Sequence, residues 1–173
     1  MTVTPVTVSS VRSKGFQAIL FGGLIAGTLD LTAACISSWL RAGVSPVRVM
    51  QSVASGLLGA ESYIGSAKIA VLGVALHFLI AIVATAVFYF ASRTLSFLVE
   101  HPIIAGLSYG VAVYLFMNFV ILPLSAFPQR AAPSLSGRII GVLVIMFCIG
   151  LPIAAIVRHF SRPNRGSAYP MVT

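Results

Sequence analysis

The chain has 173 residues, 58% of them hydrophobic and only 8% charged, with a formal net charge of +8 and a mean hydropathy of +1.04. Soluble domains carry about 25% charged residues because their surface has to stay hydrated; a shell of that kind cannot be built here, so lipid must solvate most of the surface. The eleven basic residues flank apolar runs and form no stripe interleaved with aromatics, which points away from nucleic acid and toward anionic lipid headgroups as their partners.

Residues 1–15 are largely small, polar or β-branched, lack amphipathic periodicity, and read as a flexible N-terminal segment. The first apolar run covers residues 16–40 and is broken by only two strongly polar residues, Gln17 and Asp30. Arg12 and Lys14 precede it, as a cleaved signal would require, but about 25 residues exceed the ~7–15 of a signal core. Leu31 to Cys35 loosely matches a lipoprotein cleavage site, yet Thr32 stands where a large aliphatic residue belongs. A retained helix is the better reading.

Ser45 and Pro46 then form an N-cap followed by proline at the first helical position. Over residues 46–58, Val47, Met50, Val53, Ala54, Leu57 and Leu58 share one face, while Arg48, Gln51, Ser52 and Ser55 share the other. This helix is too short and polar to span, so it lies at the interface or re-enters between spans; a fifth span from Val49 to Gly65 is the competing reading. Glu61, in the loop after it, is placed to pair with Arg48 or Lys68.

Three further runs cover about 68–92, 102–124 and 138–157. Each has about 20 residues or more, enough to cross ~30 Å of hydrocarbon at 1.5 Å per residue. Backbone groups must be satisfied internally in lipid, so the runs are helices, and no alternating ten-residue segments suggest a β-barrel. The expected fold class is all-α: a polytopic bundle of about four spans plus one amphipathic helix, in a single transmembrane domain over 16–158. Residues 159–173 form a short basic tail. Counting basic residues on alternate sides gives six against five, a slight lean toward both termini being cytoplasmic.

Polar residues inside the spans carry the functional expectation. Gly23, Gly27, Asp30, Ala34 and Ser37 share one face of the first span; Ala70, Gly73, His77, Ala81 and Ala84 share one face of the second. Gly106, Gly110, Tyr114 and Asn118 form a drifting row in the third, and Gly137, Gly141, Cys148, Pro152 and Ala155 one in the fourth. Counting rise from the span midpoints puts Asp30 ~3 Å, His77 ~4–5 Å and Asn118 ~7–8 Å from the centre, all toward the amphipathic helix. Asp30 and His77 are therefore candidates for a proton or solute pathway, with Asn118 and Tyr114 as neighbours. The competing reading is that they only hydrogen-bond across helices and fix register.

Gly23–Gly27, Gly106–Gly110 and Gly137–Gly141 are G-x-x-x-G pairs that permit close backbone approach, within the bundle or between copies of the chain. Pro152 should kink the fourth helix. Cys35 and Cys148 are solitary and only His77 is deep, so no metal site, haem or other cofactor is expected. No nucleophile motif appears, and an intramembrane enzyme ranks behind transport and a non-transporting scaffold, accessory subunit or envelope stress protein.

The segments Gly22 to Asp30, Leu76-His77-Phe78, Met117-Asn118 and Leu122 to Ser125 resemble those of a group of small bacterial inner-membrane proteins without an assigned activity. The resemblance implies a bacterial inner membrane as location and supplies no activity.

Overall fold

The structure, a computed structural model, describes residues 8–64, 66–128 and 134–161. Among these residues every regular element is helical. The helices are α1 (Val8–Ala42), α2 (Pro46–Leu58), α3 (Ala67–Thr94), α4 (Phe97–Glu100), α5 (Pro102–Leu124) and α6 (Leu135–Ser161), with a 3₁₀ turn at Gly59–Tyr63. Four of them, α1, α3, α5 and α6, are long and apolar enough to cross a membrane. Large apolar side chains such as Phe16, Val71, Ile103 and Phe119 stand exposed on these helices, as a lipid-embedded protein requires.

Of the expected N-terminal segment, residues 1–7 lie outside the described residues, and the backbone is helical from Val8. No glycine or proline lies between Val8 and Lys14, and lengthening an existing helix adds a hydrogen bond per residue without a new nucleus. Residues 162–173, including Arg162 and Arg165 of the expected tail, lie outside the described residues, as does Arg130.

Three residues join α1 to α2. Gly43 adopts φ 61°, its N–H donates to the Trp39 carbonyl at 2.9 Å and the Val44 N–H donates to the Ser38 carbonyl at 3.3 Å. The first is the 5→1 bond of an αL cap, with Gly43 in the left-handed region, and the second reaches six residues back; together they satisfy carbonyls left without helical donors. Ser45 then caps α2, its Oγ accepting from the Arg48 N–H at 3.4 Å.

In the packing, α1 sits between α3 and α6, and α5 packs on α6. One core cluster gathers Ala26 of α1, Phe88 of α3, Ala105 of α5, and Ile149, Ile153, Ala154 and Val157 of α6. Tyr109 of α5 closes it toward α3: its O–H donates to the Ala84 carbonyl at 2.7 Å, and its ring meets Phe88 edge-on at 5.0 Å. Lipid tails are as apolar as leucine, so such bundles hold by close packing and interhelical hydrogen bonds.

Glycines set the closest approaches. A Cβ on Gly23 would lie 2.6 Å from the Ile82 Cα, and one on Gly110 2.5 Å from the Met146 Cα. At Gly150 it would collide with the Gly106 carbonyl, so α5 and α6 cross backbone against backbone. The three pairs therefore serve different contacts. Gly23–Gly27 faces α3, Gly106–Gly110 faces α6, and Gly141 faces the Tyr114 ring, which a Cβ there would approach to 3.2 Å. Gly137 lies in the first turn of α6, donating its N–H to the Ser134 cap.

The two prolines beyond the first turn of a span, Pro123 and Pro152, are absorbed the same way. Turns of π-type, Met117–Ile121 and Met146–Gly150, precede Pro123 and Pro152, with Leu122 N–H donating to the Met117 carbonyl and Leu151 N–H to the Met146 carbonyl. Proline has no N–H and its ring crowds the carbonyl four residues back; widening the preceding turn to i→i+5 bonds relieves the crowding and keeps the helix continuous. Each such turn also shifts the phase of the helix beyond it. The row expected in the fourth span thus fails at its end: Ala155 is exposed, while Ile153, Ala154 and Val157 are buried.

Candidate functional site

His77 projects from α3 into its seam with α1, where its Nε2 lies 2.9 Å from the Gly27 carbonyl oxygen. A carbonyl can only accept, so Nε2 carries the proton. Nδ1 is then the nitrogen left to gain a proton. Asp30, one turn beyond Gly27 on α1, lies within electrostatic reach of His77 and also of Cys148 in the π-turn of α6. Neither Asp30 nor His77 forms an ion pair within 4.0 Å among the described residues. Asp30, His77 and Cys148 are not gathered closely enough to hold a metal ion.

Phe78, against Gly27, packs edge-on to the His77 ring at 5.6 Å. Hydroxyls nearby are used locally. Thr28 and Thr32 donate to the Leu24 and Thr28 carbonyls of their own helix, and buried Thr85 donates to the Ala81 carbonyl.

Asn118 and Tyr114 stand apart from this seam. The Asn118 side-chain amide donates to the Tyr114 carbonyl at 2.9 Å, inside the π-turn of its own helix, and the Tyr114 ring rests against Gly141 of α6. Similar depth does not bring these residues to Asp30, because α6 stands between α5 and α1. Helix order around the bundle is a tertiary property that rise per residue does not encode.

The two faces expected of α2 do not separate by burial: Ala54 is buried with Gln51 and Ser55, while Arg48 is exposed. The buried residues of the helix are Val49, Gln51, Ala54 and Ser55, while Val47, Leu57 and Leu58 are exposed. It packs along the start of α3, where a Cβ on Gly73 would collide with the Met50 carbonyl. Its far end meets the segment after α5, with the Ala126 N–H donating to the Gly56 carbonyl at 2.9 Å.

The expected pairing of Glu61 with Arg48 or Lys68 is not formed. Arg48 turns instead to Tyr63, donating from Nη1 to its carbonyl at 2.9 Å with the guanidinium carbon 5.5 Å from the ring centre. Glu61 stays exposed in the 3₁₀ turn, where a solvated carboxylate gains little from a pair. The Arg48–Tyr63 contact gave no signal in the sequence, because fifteen residues and an irregular turn separate the partners.

No known family, curated protein or solved structure matches this chain. The chemistry of the seam between α1 and α3 is therefore the ground on which a function rests.

Proposed function

We propose that this chain is a small integral membrane protein that moves, or helps to move, protons or a small solute, with Asp30 and His77 as the titratable groups. One observation carries the reading: His77 is held through Nε2 to the Gly27 carbonyl beside Asp30, which leaves its second nitrogen available for proton exchange. Ionisable groups within spans are costly, and they mark ion and proton paths. Four helices enclose little space, so the working form is an oligomer in the bacterial inner membrane, both termini cytoplasmic. Here α2 is read as re-entrant: Gln51 and Ser55 turn inward, and Val47, Leu57 and Leu58 turn outward to lipid.

The deciding experiment is a pH-jump flux assay in proteoliposomes with wild type, Asp30→Asn and His77→Ala chains of verified fold. Proton flux in the wild type, lost in either variant, supports the pathway. The same His77 bond also supports a second reading, a non-transporting scaffold whose polar groups fix helix register. Wild-type flux no greater than that of empty liposomes would favour that scaffold.

A further inference from the structure

Beside the α1–α2 junction lies a cavity of about 660 Å³, lined by Ser38, Ala42, Gly43, Ser45, Arg48 and Tyr63 among others. It is within the range of small-ligand pockets, ~300–1,000 Å³. We propose that this cavity binds a phosphate-bearing anion, with the Arg48 guanidinium supplying the charge. The proposal takes from the preceding section only that α1 crosses the membrane, and is independent of transport.

Arg48 is the one charged residue in the lining. The chain holds three acidic residues, Asp30, Glu61 and Glu100, and among the described residues none of them pairs with Arg48. Its guanidinium is nonetheless held in place, by the Tyr63 carbonyl on one side and the Tyr63 ring on the other. One of its five N–H donors is used there, leaving a fork of matching geometry for two phosphate oxygens. An uncompensated cation fixed in advance loses less entropy on binding than a free one. Ser38 and Ser45 also line this space, and their hydroxyls can add donors, whereas the Ser52 hydroxyl donates to the Val49 carbonyl and the Tyr63 hydroxyl to Ser55. Trp39 and Arg41, in the last turn of α1, are residue types that anchor helices at headgroup depth. A phospholipid headgroup and free phosphate share this chemistry.

Trp39, the only tryptophan of the chain and the neighbour of Ser38 in the lining, is a built-in reporter. The full chain, in a neutral detergent, is titrated with dioctanoyl phosphatidylglycerol, inorganic phosphate and dioctanoylglycerol while tryptophan emission is followed. The expected result is a saturable change with phosphatidylglycerol and none with dioctanoylglycerol. Its midpoint should rise at least tenfold in Arg48→Gln, only a few-fold in Arg48→Lys, and not at all in Arg41→Gln. Saturation by inorganic phosphate with the same Arg48 dependence supports the site and identifies free anion as sufficient. If Arg48→Gln does not fold, Tyr63→Leu carries the test, since it removes the ring that holds the guanidinium and should also raise the midpoint. A response that does not saturate, that dioctanoylglycerol reproduces, or that the folded variants leave unchanged overturns the proposal.

Discussion

His77 Nε2 and the Gly27 carbonyl oxygen, 2.9 Å apart, tie α3 to α1 across fifty residues of sequence. The bond has a measurable worth. Interhelical hydrogen bonds in lipid contribute ~0.6 kcal/mol on average and at most ~2, so His77→Ala should destabilise the chain by about 0.5–2 kcal/mol. Asn118→Ala should cost less, because the Asn118 amide bonds only within its own helix. Reversible unfolding in mixed micelles compares the two; an equal or larger loss for Asn118→Ala would contradict the assignment.

The contact of α2 with α3 depends on Gly73. Its Cβ in Gly73→Ala would meet the Met50 carbonyl, a backbone atom that cannot rotate aside. Overpacking of this kind costs about 1–3 kcal/mol. Gly56→Ala is the control, since its nearest neighbour would be Ser125 at 3.9 Å. There the higher helix propensity of alanine should raise stability by up to about 1 kcal/mol. Thermal unfolding of the two variants should therefore shift in opposite directions.

At the crossing of α5 and α6, Gly150→Ala would drive a methyl into the Gly106 carbonyl. The two helices must then separate, loosening the core at Ile149, Ile153 and Ala154. A lower thermal midpoint and faster proteolysis than wild type are expected, with a loss of about 1–3 kcal/mol. An unchanged midpoint would mean that the π-turn at Met146–Gly150 can shift without cost.

Tyr109→Phe isolates one hydrogen bond. The variant keeps the edge-on contact with Phe88 and loses the donation to the Ala84 carbonyl, so a loss of about 0.5–1.5 kcal/mol is expected. Tyr109→Ala removes the ring as well and should cost clearly more in the same unfolding assay.

The outward turn of α2 predicts its surroundings. In a chain with Cys35 and Cys148 replaced, cysteines at Leu57 and Leu58 should resist a membrane-impermeant maleimide, because on the re-entrant reading these exposed side chains face lipid. A cysteine at Glu61 should react readily. Ready labelling at Leu57 and Leu58 would place this face in water and reject the re-entrant reading.

Hydropathy and local chemistry account for everything the sequence determined by itself. Four apolar runs longer than the hydrocarbon is thick had to be helices, since lipid offers no partners for backbone groups. The small-residue faces of α1 and α3 came from the 3.6-residue repeat, and the cap at Ser45 from the preferences of a helix start. Tertiary structure alone decided the rest. It placed α6 between α1 and α5, separating Asn118 from Asp30. It buried Gln51 and Ser55 of α2 beside Val49 and Ala54, and left Val47, Leu57 and Leu58 exposed. The π-turns before Pro123 and Pro152 broke the repeat on which a linear reading depends. Periodicity describes which residues share a face of one helix; which helix that face meets depends on packing among segments far apart in the chain.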